Sequence, residues 1–183
     1  MNQDIFIKGN LVALRNKLAE DAELDYSWRV DPELAALDAT TPLRMTYTSF
    51  LRIAEDEIRY PVPWSKRFAI ETLEGTMIGN CMYYDIDYAR GQAEMGILIG
   101  DREYWNLGYG SDAVETLVTH IFTDTTLNRI YLHTLSWSIR AQKSFKKCGF
   151  IELGPVTKSG YEFIMMELVK ESWQADQKRL ASG

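Results

Sequence analysis

Cysteine and histidine are scarce in this chain. Two cysteines, Cys81 and Cys148, and two histidines, His120 and His133, are all that its 183 residues hold. No cluster of these residue types exists from which a zinc-like site could be assembled, so no metal is expected. No spacing pairs the cysteines, which read as buried thiols rather than a disulfide. Long apolar runs are missing as well. Nothing approaches the roughly 20 residues needed to span a bilayer, so no membrane partner is expected. The start, Met1-Asn2-Gln3-Asp4-Ile5-Phe6, lacks a basic stretch followed by an apolar one, which points away from a signal peptide and toward a cytoplasmic address. Positive charge is in deficit. The balance of 20 Lys and Arg against 26 Asp and Glu leaves a net charge of −6, which argues against nucleic acid as a partner and suits a cationic one. No repeat and no low-complexity segment is visible.

What is present has the size and composition of one globular domain over residues 1–183, with a core at about 10–169 and a polar tail at 170–183. Hydrophobic periodicity predicts a strand at 11–17, a helix from Glu20 to about Val30, and a helix over 49–59 closed by Pro61-Val62-Pro63. Three strands follow, at 67–73, 76–87 and 93–100, joined by turns at Glu74-Gly75 and Ala89-Arg90-Gly91. The period then changes from about 2 to about 3.6. Ala113, Val114, Leu117, Val118, Ile121 and Phe122 form one helical stripe. A strand at 128–135, a short helix at 138–147 ended by Gly149, and strands at 151–156 and 161–169 complete the order. The result is an α+β fold: a mixed, mostly antiparallel sheet of about seven strands flanked by helices.

The loop between the third meander strand and the striped helix reads Trp105-Asn106-Leu107-Gly108-Tyr109-Gly110-Ser111. Two glycines at a helix start let the backbone approach a ligand closely and aim several N–H groups at one point. The helix dipole adds partial positive charge there, so a phosphate is the natural occupant. A dinucleotide fingerprint would need a third glycine where Ala113 stands, and a Walker loop would need Gly-Lys-Ser/Thr, which is absent. Alone, Gly-x-Gly can also be nothing more than a tight loop.

In this loop the chain resembles the GNAT superfamily of N-acetyltransferases, in particular the branch of RimJ/RimL-like ribosomal-protein N-terminal acetyltransferases. That family carries Arg/Gln-x-x-Gly-x-Gly/Ala at a helix start. Here Trp105 stands at the Arg/Gln position, as in the RimJ/RimL-like form, and the match continues through Asp112-Ala113. A second block, usually Asn-x-x-Ser/Ala-x-x-x-Tyr-x-Lys-x-Gly-Phe, appears downstream with its spacing intact and ends in Gly149-Phe150. Two positions depart from it: Ser138 replaces the Asn, and Phe145 replaces the Tyr often assigned as the acid toward the departing thiolate. An N-terminal block, Leu14-Arg15, Glu20-Asp21, Trp28 and Asp31-Pro32, extends the resemblance over roughly 10–169.

The resemblance implies the GNAT acyl-CoA N-acyltransferase fold and acetyl-CoA as acyl donor. It implies direct attack by a primary amine in a ternary complex, the acceptor being a protein N-terminus or a small amine. Trp105, Asn106, Leu107, Gly108, Tyr109, Gly110 and Ser111 would cradle the pyrophosphate. The region around Leu98 and Ile99 would carry a β-bulge whose N–H polarises the thioester carbonyl, with Gly100 beside them also on the cofactor. Ser138 and Phe145 would contact the pantetheine arm, Ser138 or a water also serving as proton donor. Acetyl transfer needs a neutral amine, whose ordinary pKa is near 10.4, so a base is useful. Glu94 is the candidate base, on the strand face shared with Gly96 and Leu98 and partly desolvated among Ala93, Met95, Tyr83 and Tyr84; the alternative is a sheet-edge Glu paired with Arg90 or Lys66. His133 and His120 read as packed histidines with satisfied hydrogen bonds. The segment with Trp28, Tyr47, Glu55, Asp56, Glu57, Tyr60 and Trp64 offers aromatic faces and carboxylates for a cationic acceptor, or else a solvated helix face. A homodimer is compatible with the branch, though no apolar stripe marks an interface. The alternative to an enzyme is a catalytically silent acyl-CoA-binding or regulatory module, which the changes at Ser138 and Phe145 keep open.

Overall fold

The computed structural model describes residues 6–182. Its sheet contains β1 (Phe6–Lys8), β2 (Val12–Asn16), β3 (Ser65–Thr72), β4 (Met77–Asp87), β5 (Gln92–Ile99), β6 (Arg129–Leu135), β7 (Ile151–Lys158) and β8 (Tyr161–Val169), in the order β1-β2-β3-β4-β5-β6-β8-β7. The helices are α1 (Ala22–Val30), α2 (Pro32–Leu37), α3 (Tyr47–Arg59), α4 (Tyr109–Asp124), α5 (Ile139–Lys147) and α6 (Lys170–Ala181). This is the expected mixed α+β architecture with one strand more. The addition is the three-residue β1, too short to show a period.

Alternation sends each strand's side chains to two faces. On β3, Phe68 and Ile70 join one cluster and Ala69 the other; on β5, Ile97 and Ile99 separate from Leu98 in the same way. The larger cluster is built on α4. Its stripe of Ala113, Val114, Leu117, Val118, Ile121 and Phe122 is buried against Phe68, Ile70, Ile78, Met95 and Ile130. Each large aliphatic or aromatic side chain sealed there contributes roughly 1.5–3 kcal/mol. The opposite face carries Trp28, Leu34, Ala69 and Met77, with Leu37, Leu98 and Trp105 against them.

The apolar period of α3 is real and its face is solvated: none of its residues is buried. Tyr47 and Phe50 only lean on the Tyr26 ring, at 5.5 and 5.6 Å between centroids. The sheet also places β5 in its interior, between β4 and β6, so Glu94 is not the sheet-edge residue that a pairing with Arg90 or Lys66 required.

All neighbouring strands are antiparallel except β5 and β6, which the α4 crossover makes parallel. They pair at three positions only: Gln92 with Arg129, Ala93 with Ile130, and Glu94 with Tyr131. Beyond Glu94 the two strands part. The backbone groups of 95–99 that point away from β4 therefore meet no strand, and a wedge opens between the two halves of the sheet.

Candidate active site

The wedge widens into a cleft of about 360 Å³. Its floor comes from β5 and β6, its walls from Tyr84 on β4, from residues 37–39 at the end of α2, and from Lys158, Ser159, Tyr161 and Phe163 of the β7–β8 hairpin. The hairpin turn holds Ser159 and Gly160 at positive φ (53° and 82°), which folds Lys158 and Tyr161 toward the wedge. A shallower depression of about 340 Å³, bordered by Glu33, Trp105, Trp137, Ile139 and Arg140, adjoins it, with Leu37 and Ser138 lining both.

Glu94 sits where the strands part. Its side chain is almost wholly buried, and Oε1 lies 2.8 Å from Nδ1 of His133. Oε2 lies 4.0 Å from the Lys158 ammonium. Burial, and next the charge of Glu94, push the Tyr84 phenol above its ordinary range. The same two causes, in the same order, raise Tyr131. The expected alternation holds, since Glu94, Gly96 and Leu98 face Tyr84, Met82 and Asn80 in register. The expected surroundings hold only for Tyr84: Tyr83, Ala93 and Met95 belong to the α4 side, and His133 and Lys158 stand beside the carboxylate with Tyr84.

The glycine loop lies at the other end of the wedge. Gly108, at φ +93°, turns the chain into α4. The first-turn N–H groups of that helix, at Tyr109, Gly110 and Ser111, precede the first intrahelical bond, from Asp112 N–H to the Gly108 carbonyl. A Cβ added at Gly110 would make only an ordinary 3.6 Å contact with Ile99. The fold itself therefore leaves room for a side chain there and does not require the glycine. Trp105 donates its Nε1–H to the Ile99 carbonyl at 2.8 Å, tying the loop to the end of β5. The guanidinium of Arg140 lies 4.4 Å from its ring centre and that of Arg102 5.6 Å. Arg102 is tied to Asp31 and Glu33 at 2.7–3.0 Å, so the cation that Trp105 lacks has a counterpart only in Arg140.

Ser138 begins α5, makes no capping hydrogen bond with its side chain, and lines the cleft with Phe145. Phe145 packs edge-on to Phe150 at 5.8 Å. Ser111 is held by Ser144 across α4 and α5, 2.8 Å between hydroxyls.

Other expectations need correction. The β5–β4 register runs unbroken from Glu94 to Ile99, so Leu98 and Ile99 carry no bulge; the irregularity is in β4 between Tyr84 and Asp87, where Asp85 adopts φ +49°. Gly100 answers to packing, because a Cβ there would fall 2.1 Å from the Trp28 indole. Asp112 faces away from the loop and accepts from the backbone N–H groups of Asn10, Leu11 and Val12. Of the aromatic and acidic segment offered for the acceptor, none lines the cleft: Trp28 is buried under Gly100, and Glu57 pairs with Arg67 at 2.6 Å. Sequence reasoning passed over Lys158, Tyr161, Arg140 and the proximity of His133 to Glu94. Only Arg140 had a local signal, its place two residues after Ser138.

Residues 12–151 match the family described as Acetyltransferase (GNAT) domain. The chain is 32% identical over 151 residues, 76% of its length and 82% of the other's, to the uncharacterized N-acetyltransferase p20 of Bacillus licheniformis. It is 29% identical over 89 residues, 49% of its length and 51% of the other's, to the spermidine N(1)-acetyltransferase of Vibrio cholerae. Among solved structures, the Vibrio cholerae spermidine N-acetyltransferase in complex with CoA and spermine superposes with a TM-score of 0.79 at 19% identity, over 90% of this chain and 98% of that one. The split sheet, the glycine loop at the start of α4 and the match over residues 12–151 agree: the chain belongs to the GNAT acetyltransferases and is an acetyl-CoA-dependent N-acetyltransferase.

Proposed function

We propose that the chain acetylates a small, cationic primary amine, with Glu94 at the reaction centre. The observation that carries this reading is the cleft between β5 and β6, which has a buried carboxylate at its apex and a phosphate-receptive helix start at its mouth. When bound, acetyl-CoA supplies the acetyl group as a thioester. Backbone of 105–111 would hold its pyrophosphate, with Arg140 adding charge beside Trp105. The unpaired backbone edge of 95–99 would take the pantetheine arm, with Ser138 and Phe145 opposite. Most of the catalysis is then positioning of amine against carbonyl.

The acceptor wall supports a small cation. Tyr84, Tyr161 and Phe163 offer aromatic faces, and Glu94 offers a carboxylate, within a cleft of about 360 Å³. Polyamines such as spermidine fit this chemistry, and the names of the Vibrio cholerae relatives agree with it. Trp105, within Tyr-Trp-x-x-Gly-Tyr-Gly, favours a second reading, that the chain stands with the RimJ/RimL-like branch and takes a protein N-terminal amine. A cytoplasmic address and a homodimer accompany either reading.

The test is thiol release from acetyl-CoA with a panel of spermidine, spermine, putrescine, lysine and short peptides with free N-termini. We expect the polyamines to exceed the peptides in kcat/KM by about tenfold or more, a difference of roughly 1.4 kcal/mol in transition-state binding. Peptides ahead of polyamines would move the acceptor to protein N-termini. Binding of acetyl-CoA without turnover on any amine would point to a silent module.

A further inference from the structure

We infer that His133, not Glu94, takes the proton from the acceptor amine, and that Glu94 is the positioning residue that holds the imidazole for it. The inference rests on the acetyl-transfer reading above and assigns a residue that the family motifs do not single out.

Glu94 is poorly free to act as the base itself. It is 4% exposed, Oε1 is committed to His133 Nδ1 at 2.8 Å, and Oε2 faces Lys158. A carboxylate accepting across 2.8 Å places the shared hydrogen on Nδ1, which leaves the imidazole lone pair on Nε2. No hydrogen bond reaches that Nε2 among the described residues, and none of their buried side-chain nitrogens or oxygens lacks a partner. Nε2 is therefore open to solvent, and His133 lines the cleft. Parallel pairing builds this arrangement. Glu94 sits opposite Tyr131, and His133 lies two residues further along β6 on the same face, just past the point where the strands part.

The other groups facing the imidazole are unsuited to the task. Tyr84 and Tyr131 are raised phenols that stay protonated and have no anionic oxygen to offer. The Lys158 ammonium has no lone pair, and Phe163, 6.0 Å ring to ring, only packs. Asp38, at the cleft's rim, is occupied by Arg29 at 3.5 Å. Imidazole is also the side chain that most readily exchanges protons near neutral pH.

The step balances as follows. The amine arrives as an ammonium and gives one proton to His133 Nε2; the resulting imidazolium keeps its Nδ1–H on Glu94 and passes the proton on to water. The freed lone pair forms the C–N bond to the acetyl carbon as the C–S bond breaks. The second proton leaves nitrogen and ends on sulfur as thiol.

Two measurements test this. The first is kcat/KM for spermidine against pH at saturating acetyl-CoA, for wild type, His133→Gln and Glu94→Gln. We expect His133→Gln to lose about 10²–10⁴-fold and to lose the acidic limb of the profile, with the acetyl-CoA Kd by calorimetry unchanged within about twofold. Glu94→Gln should keep the limb and lose less than His133→Gln. The second is side-chain 15N NMR of the unliganded wild type, assigned with His120→Gln. It should show His133 protonated at Nδ1 and bare at Nε2, and this tautomer should be lost in Glu94→Gln. Survival of the limb in His133→Gln with less than about fivefold loss, or an Nε2–H tautomer in the wild type, overturns the inference. A wild type that turns over no amine overturns the acetyl-transfer reading and the inference with it. A wild type that turns over, with His133→Gln its equal, overturns the inference alone.

Discussion

Single residues separate what the fold requires from what the ligand requires, and glycines do so most clearly. A methyl at Gly110 meets only Ile99 at 3.6 Å, whereas one at Gly100 would fall 2.1–2.6 Å from the Trp28 indole. We predict that Gly110→Ala keeps its melting temperature while losing at least about tenfold in acetyl-CoA affinity by calorimetry, since a side chain would block close approach to the helix start. Gly100→Ala should cost about 1–3 kcal/mol in urea unfolding, the usual range for overpacking. Gly108 cannot make this distinction, because its φ of +93° strains any replacement. Asp21 shows a charge serving the fold. Burial would raise its carboxyl, but hydrogen bonds from Arg15 and the Leu18 N–H, with the charge of Lys17, outweigh that and hold it below the usual range. A depressed folded-state pKa gives stability that is present above the unfolded value, near 3.9, and is lost as pH falls through the folded one. Asp21→Asn should therefore cost about 2–4 kcal/mol at pH 7, where it leaves Arg15 short of a buried partner, and the difference from wild type should shrink below about pH 4. Equal costs at pH 7 and pH 3 would show that the loss is packing, not charge.

At the level of elements, α4 organises the molecule from both ends. Its stripe buries the sheet's larger face, and Asp112 in its first turn holds the β1–β2 turn through three backbone N–H groups. Asp112→Ala should leave those donors without their acceptor and cost about 2–3 kcal/mol. Hydrogen exchange should accelerate at Asn10, Leu11 and Val12 before the rest of the sheet. This element was legible in the sequence because Ala113, Val114, Leu117, Val118, Ile121 and Phe122 mark a helical face that no strand shares. The meander was legible for the converse reason, a period of 2 broken at Gly75 and Gly91. The α3 helix was legible as a helix, and the solvated face was one of the two readings offered for it. Periodicity reports a face but not what covers it, and here Tyr26 of α1 does little more than touch Tyr47 and Phe50 of α3. The β1 strand was not legible at all, because its three residues owe their pairing to Arg15, Leu14 and Ala13 of β2.

At the level of the whole molecule, the site follows from one topological fact that local sequence does not encode: β5 and β6 are parallel neighbours that separate after three pairs. The glycine loop could be read from Trp105 to Ser111 because its chemistry is contiguous. The pair of Glu94 and His133 could not, because 39 positions separate the two and only the parallel register brings them within 2.8 Å. The same holds for Lys158, delivered by a hairpin at the far edge of the sheet. The separation has a mechanical consequence. Below Glu94 the halves of the sheet are joined by ladder bonds; above it they are joined through α4, α5 and whatever occupies the wedge. A ligand lying along 95–99 would satisfy the backbone edge that β6 leaves bare and tie the halves together. Binding to the folded state alone stabilises it by about 2.7 kcal/mol at a ligand concentration of 100 Kd. For a chain of 183 residues that is a rise of roughly 5–10 °C in melting temperature. We predict such a rise with acetyl-CoA, accompanied by slowed hydrogen exchange confined to 95–99, 105–111 and 132–138, and absent from β1, β2 and β7. Gly110→Ala, with at least about tenfold weaker binding, should cut the rise to about half or less at the same ligand concentration and weaken the protection with it. Protection spread evenly over the sheet would mean that the ligand merely lowers global unfolding, and that the wedge is not the place where the two halves are bridged.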